Sequence, residues 1–381
     1  MRILVVSRSW PSTERSGVSL AAAAHVEMMV GQGHEVFIIG AFPQVQHENL
    51  SVKRRFYVAA YGSGALYSPA RVNRMSLISA IAEVRPDLVV VEAWQTGLGD
   101  AAIEVSFARG LPVLMISHGV SVHSFSSAWI DRLRSFAWFP YRLRYFPGLV
   151  RSLCAITTLD EHSRSPRFYD RDLARRIGIP VFPLANFPVN WTIENIPFQD
   201  RKRQLLLIGY FSPVKNQLSA LELLQKLPED IMLHFIGPRS GKYYLQCVRY
   251  ASELNIRSRV MFSEDQEIDI AGEIASSIAV LSTSITEALP ICLLEAMACG
   301  TPFIATPVGA VPSLRGGIIR QDVLCQAEAV ISLVNDSDLW MRLSSEGMAT
   351  HNARYSRAKI SEQLAAAVEG TFQAHCNKAI S

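Results

Sequence analysis

Two acidic residues flank a proline in the stretch 282–306, STSITEALPICLLEAMACGTPFIAT. Glu287 falls in a loop after an apolar strand-like run. Pro290 falls where a helix would begin, because its fixed φ suits a first turn and its missing N–H leaves no donor unmet there. Leu293, Leu294, Ala296 and Met297 supply an apolar face. The turn Leu289, Pro290 and Ile291 therefore opens a helix whose free backbone N–H groups make an anion site. Glu295 follows Glu287 after seven intervening residues, so one carboxylate stands ahead of the helix and the other on its flank. A carboxylate accepting two hydrogen bonds suits a diol such as the 2′- and 3′-hydroxyls of a ribose, and a second acid near the phosphate end suits sugar hydroxyls. Taken singly, each acid also reads as an ordinary solvated helix or loop charge.

Other residues join this set. Lys215 lies beyond a strand-like run closed by Gly209, and a lysine at the mouth of a parallel strand acts as a point charge on phosphate; a plain surface lysine is the alternative. His118 follows the run Val113–Ser117 at a strand's C-terminal end, where a neutral imidazole accepts from or donates to hydroxyls. Gly17 sits at a strand-to-helix turn, where a missing Cβ lets backbone approach a ligand, although a turn glycine has the same signature.

The residues beyond the strands exclude several chemistries. After Ile3–Ser7 the chain reads Arg8-Ser9-Trp10-Pro11, not a glycine-rich dinucleotide fingerprint, so hydride transfer is disfavoured. No P-loop, nucleophile elbow, Asp-x-Asp pair or carboxylate cluster is present, so no metal site is expected. The six cysteines are scattered without metal spacing and are expected as buried thiols in a reducing compartment. Residues 1–190 hold 20 Lys and Arg against 14 Asp and Glu, and the remainder 17 against 20. That asymmetry points the first half toward phosphate or a membrane face. Nucleic acid is disfavoured, since no helix carries a dense basic stripe. The apolar start stops at Arg8, too early for a signal peptide, and no apolar run reaches 18 residues, so a cytoplasmic protein is expected.

The elements that must hold these residues alternate between short β-branched runs and longer helical patterns, as in parallel sheets with crossover helices. In the first half the strands are Ile3–Ser7, Glu35–Gly40, Asp87–Val91, Val113–Ser117, Ala155–Thr158 and Val181–Leu184, with helices Val18–Gly31 and Ala70–Val84. Residues 187–202 read as a linker. Beyond it lies a second series: strands at Gln204–Ile208, Met232–Ile236, Val260–Phe262, Ala279–Ser282 and Phe303–Thr306, and helices at Asn216–Leu227, Lys242–Leu254, Ile268–Ser276 and Pro290–Cys299. The reading is an α/β chain of two doubly wound Rossmann-like domains, 1–190 and 191–355, with a last helix in 356–381.

The motif Glu287, Leu289-Pro290, Leu293-Leu294, Glu295-Ala296-Met297-Ala298, Gly300, Pro302 resembles the hallmark of glycosyltransferase family 4, the group 1 glycosyltransferases. Gly209 and Lys215 match that family's diphosphate-binding opening of the second domain, with Tyr210 where an arginine is usual and Ala288 where a glycine is usual. Gly17 matches one of the two glycines common in the first loop, and His118 matches a histidine facing the sugar. Asn186 resembles the end of the first domain, a turn former before the hinge. The resemblance implies a GT-B fold with two domains facing across a cleft and a last helix crossing back to the first. It implies a retaining, metal-independent enzyme with no cofactor beyond its nucleotide diphosphate sugar donor. The sugar would pass to a glycan or lipid-linked acceptor of a bacterial surface polysaccharide, the leaving diphosphate helping to deprotonate the acceptor. Glu287 and His118 would serve the sugar; Lys215, Glu295, Gly17, Gly209, Leu289, Pro290 and Ile291 would hold the donor. Two rivals are an epimerase of nucleotide sugars on the same fold and a catalytically weakened binding subunit, the latter favoured by Tyr210, Ala288 and the single glycine.

Residues 129–146 interleave four arginines with two tryptophans, three phenylalanines and two tyrosines. Such a mixture suits an anionic lipid surface, and hence a peripheral position on the inner membrane face. It equally suits a helix pair whose aromatics are core.

Overall fold

The computed structural model describes residues 1–12, 16–42, 51–63, 65–66, 68–120, 136–188 and 196–380. The chain divides into two compact units, Met1–Ala185 with Ala358–Ser381, and Asn186–Arg357. Each is built on its own parallel sheet, because buried β-branched runs joined by crossover helices have no other way to cover both faces.

In the first unit the strands are β1 (Arg2–Ser7), β2 (Glu35–Gly40), β3 (Arg54–Tyr57), β4 (Ala60–Tyr61), β5 (Arg71–Val72), β6 (Leu88–Glu92), β7 (Val113–Ile116), β8 (Ala155–Thr158) and β9 (Val181–Pro183). Seven form one sheet in the order β3-β2-β1-β6-β7-β8-β9, while β4 and β5 pair separately. All pairings within the seven-stranded sheet are parallel. Successive strands run outward in opposite directions from β1 and β6, so the crevice beyond the carboxyl ends of those two is the place where a ligand can enter.

The second unit repeats the plan with β10 (Lys202–Ile208), β11 (Met232–Ile236), β12 (Val260–Ser263), β13 (Ser277–Ser282), β14 (Phe303–Ala305) and β15 (Gly317–Ile319), in the order β12-β11-β10-β13-β14-β15. Its reversal falls between β10 and β13. Leu205, Leu207, Leu233, Phe235, Ala279 and Leu281 form part of its core, fully buried under helices such as Gln217–Gln225 and Val323–Asn335.

The last helix, Arg357–Ile380, belongs from Ala358 onward to the first unit. Gln32 Nε2 donates to the Ser361 carbonyl at 2.9 Å and to its hydroxyl at 3.0 Å, and Gln363 Oε1 accepts from the Ala185 amide at 3.2 Å. Gly370 is required at its place. A Cβ there would stand 2.3 Å from Cζ of Phe182.

The expected helix Ala70–Val84 is corrected. Arg71–Val72 is extended and pairs with β4, and the helix runs Arg74–Val84 behind Asn73, whose side chain accepts from the Ser76 amide. Met75, in its first turn, is 71% exposed. The helix Gly97–Phe107 is not legible in the sequence because two glycines open it; Thr96 caps it and Asp100 lies in its first turn. The cysteines are all free, but Cys292, Cys325 and Cys376 are only half-buried, which corrects the expectation of uniformly buried thiols. Among the described residues no helix is long and apolar enough to cross a membrane.

Asp100 is buried, with the Tyr141 hydroxyl donating to Oδ2 at 2.9 Å. Burial pushes its carboxyl up to about 8. An unfolded aspartate titrates near ~4, so the folded chain binds the extra proton between those values and loses stability as pH rises through that window. Asp100→Asn should therefore melt progressively higher than the wild type between about pH 5 and about pH 8. A melting-temperature difference that stays flat over this range would contradict the assignment.

Candidate functional site

In the second unit, the ends of β10 and β13 bring the expected residues together. Gly209 follows β10 with φ +144°, and a Cβ there would stand 3.2 Å from the Lys215 Cε, so the glycine makes room for the lysine stem. Lys215 lies on a tight turn, its amide donating to the Ser212 carbonyl at 3.1 Å. Thr283, just after β13, donates its hydroxyl to the carbonyls of Lys215 and Asn216, at 3.1 and 2.9 Å. Lys215 Nζ then meets Glu287 Oε1 at 2.7 Å, with the two side chains 27% and 16% exposed. That degree of enclosure rules out a free surface lysine. Burial works against the Lys215 charge, but Glu287 outweighs it and the lysine's pKa is raised. The Ser284 hydroxyl donates to the same Glu287 oxygen at 2.9 Å.

Pro290 is the N-cap of the helix Ile291–Ala298, not its first residue as the sequence suggested. Its φ of −66° and ψ of 120° leave it extended, and no side chain caps the helix or places an acid in its first turn. The N–H groups of Ile291 and Cys292 therefore open outward as the positive end of the helix. The Leu289 carbonyl is held by Asn186 Nδ2 at 2.8 Å, which gives Asn186 a second role beyond turning the chain. Glu295 is half-buried, and among the described residues its carboxylate has no hydrogen-bond or ion-pair partner. Burial alone pushes it up to about 7. Tyr210 is half-exposed, and Ala288 is buried with its carbonyl accepting from Ala310 at 2.8 Å.

In the first unit, a cavity of about 440 Å³ opens beyond β1, β6 and β7. Ser7, Arg8, Trp94, Gln95, His118 and Arg167 are among its lining. His118 Nε2 lies 2.8 Å from Glu92 Oε2, and His25 Nδ1 lies 2.9 Å from the other oxygen of the same carboxylate. Gly17 is the exposed first residue of the helix Gly17–Gly31, behind the capping box of Ser16 and Ser19. Its neighbours Ser16 and Val18 line the cavity.

Thus Lys215, Gly209, Glu287, Leu289, Pro290, Ile291 and Glu295 share the second unit, while His118 and Gly17 belong to the first. Glu92 and His25 were missed. Each carried a signal: an acid closing the apolar run Leu88–Val91, and a histidine inside the apolar stretch Leu20–Val30. Among the described residues no cluster of potential metal ligands is present. Of the aromatic and basic run, residues 129–135 lie outside the described residues. Tyr141 and Phe146 are core, Trp138 packs against it, and Phe136, Phe139 and Leu143 are exposed.

Residues 191–353 match the sequence profile of the family described as glycosyl transferases group 1. The chain is 26% identical over 173 residues to the N-acetyl-alpha-D-glucosaminyl L-malate synthase of Bacillus anthracis, a span covering 43% of this chain and 44% of that protein. It is 33% identical over 122 residues to the D-inositol 3-phosphate glycosyltransferase of Mycobacterium tuberculosis, covering 31% of this chain and 25% of that one. Both alignments span less than half the length of these curated relatives. Among solved structures, Anabaena HepE in complex with UDP superimposes with a TM-score of 0.73 at 17% identity, covering 97% of this chain and 100% of that one. Sucrose-phosphate synthase from Thermosynechococcus elongatus gives 0.73 at 17% identity, covering 98% and 99%. At such identity the likeness shows the fold: two parallel-sheet Rossmann-like domains of the GT-B type.

Gly309 anchors the Glu287 loop with φ +57°, and a Cβ there would lie 2.1 Å from the Glu287 carbonyl oxygen. Left-handed strain in a non-glycine residue costs about 1–3 kcal/mol, and the overlap adds to it. Gly309→Ala should lower the melting temperature and pull Glu287 away from Lys215. A crystal structure of the variant with the loop unmoved and stability unchanged would contradict this.

Proposed function

We propose that the chain is a nucleotide-sugar-dependent glycosyltransferase whose second unit holds the donor. The observation that carries this reading is the convergence at one switch point of a lysine, an uncapped helix start and an unpartnered, half-buried carboxylate. Lys215 and the N–H groups at Ile291 and Cys292 take the diphosphate. Glu295 takes the ribose diol, and Gly209 and Leu289 shape the backbone around it. Glu287 and His118 serve the sugar. The profile match over residues 191–353 supports the same assignment. So does the chemistry for which the relatives are named, the glycosylation of malate and of inositol 3-phosphate. Neighbours of the same fold were solved with UDP and with UDP-glucose, so a uridine diphosphate sugar is the first donor to test.

The reaction proceeds with retention, the leaving diphosphate taking the acceptor's proton and requiring no metal. This suits a site whose acids are placed for hydrogen bonding, with the protein contributing position and charge. The acceptor is a glycan or lipid-linked intermediate of a surface polysaccharide, reached at a cytoplasmic membrane face. Exposed Phe136, Phe139 and Leu143 beside exposed Arg144 support that location.

UDP should stabilise the wild type in a thermal-shift assay by mass action, and Lys215→Ala should weaken binding by about 1.5–3 kcal/mol, the worth of a hydrogen bond to a charged group. Binding a diol favours the ionised form of Glu295, so affinity should fall as pH drops below about 7. Glu295→Gln should flatten that dependence. UDP binding that ignores both substitutions would place the nucleotide elsewhere. Release of sugar from UDP-glucose, to water or to an acceptor, separates a transferase from a mere binding subunit.

A further inference from the structure

Glu92 is the carboxylate of the first unit's cavity that the proposed reaction leaves unused. It ends β6, its side chain is wholly buried, and each oxygen faces a different imidazole. Burial works to raise its pKa, but the two histidines outweigh that and hold it at about 2. An ionised carboxylate accepts hydrogen bonds and donates none. Both facing nitrogens, Nδ1 of His25 and Nε2 of His118, must therefore carry hydrogen. In the neutral ring of His118 the lone pair is then left on Nδ1, which has no partner among the described residues.

The surroundings keep the carboxylate in place. The rings of His25 and His118 stack at 6.3 Å with 25° between planes. Ala93 and Gln95 adopt φ of +67° and +61°, a strained pair of non-glycine residues that fixes the turn after β6. Between them, Trp94 donates Nε1–H to Asp170 at 2.7 Å, and the Ser117 hydroxyl before His118 donates to that same aspartate oxygen. Strain and buried polar bonds concentrated around one histidine exceed what a packing role needs.

We propose that Glu92, braced by His25, is a positioning residue that fixes His118 as the Nε2–H tautomer, so that Nδ1 accepts a hydrogen bond from a substrate hydroxyl. This deepens the glycosyltransferase reading and rests on it for the identity of the hydroxyl. A ring locked this way takes a hydroxyl donor and offers nothing to a carbonyl or phosphate oxygen.

The test is histidine ring ¹⁵N NMR on the full chain, with His118 assigned by its loss in His118→Gln. The neutral ring is expected to be protonated on Nε2; protonation on Nδ1 in the wild type would overturn the proposal. Glu92→Gln offers one accepting oxygen and one donating amide, so one of the two rings must move its proton. Unchanged ring patterns in a variant with wild-type circular dichroism would also overturn it. If Glu92→Gln does not fold, the wild-type measurement still decides. Release of glucose from UDP-glucose should slow about 3–10-fold in kcat, the worth of one hydrogen bond, with KM unmoved and Glu92→Asp recovering part; an unchanged kcat would remove the functional half. Tautomer and UDP binding are read separately, so a failure here is distinguishable from a failure of the donor site in the second unit.

Discussion

The ion pair between Lys215 and Glu287 is the contact around which the second unit's site is arranged. Burial works against the charge of a lysine this enclosed, and a carboxylate beside it offsets that cost. Glu287 supplies that carboxylate, and the loops after β10 and β13 exist in their particular form to hold the two at 2.7 Å. Thr283 ties one loop to the other, Gly309 lets the chain pass under the Glu287 carbonyl, and Asn186 fixes the Leu289 turn. The pair stores a positive charge at the end of a parallel sheet, close to the uncapped helix start at Pro290. On the proposed reading, a diphosphate arriving there would compete with Glu287 for the lysine, and the displaced carboxylate would be released to sugar hydroxyls, so that one contact would couple donor binding to sugar recognition.

The first unit solves a related problem with opposite sign. Glu92 is a buried anion, and two histidines satisfy both of its oxygens instead of a lysine. The result is a cavity wall whose carboxylate has both oxygens hydrogen-bonded, bordered by hydroxyl and arginine side chains. Both sites lie where strand order reverses, as the shared architecture requires: crossover connections diverge there and leave the carboxyl ends of two neighbouring strands uncovered.

Much of this arrangement was legible in the residues. Proline ahead of Leu293 and Leu294 marked a helix start, and the acids on either side of it marked the candidate site that the structure gathers around Lys215. The parallel strands were legible because buried β-branched runs have few alternatives. The features that were not legible depend on long-range pairing. Glu92 and His25 are 67 residues apart and acquire meaning only when β6 and the first helix meet. The helix Gly97–Phe107 was hidden by glycines that local propensity assigns to loops. The first strand of the Ala70–Val84 stretch was hidden because a two-residue pairing leaves no periodicity to detect.

The most direct measurement is a calorimetric titration of UDP into the wild type and into Glu287→Gln. If Glu287 holds the lysine in waiting, removing its charge frees Lys215 and the variant binds UDP more tightly, by about 3–10-fold for one released hydrogen bond. Weaker binding in Glu287→Gln than in the wild type would show that the acid supports the diphosphate site instead of competing for it, and the account would fail.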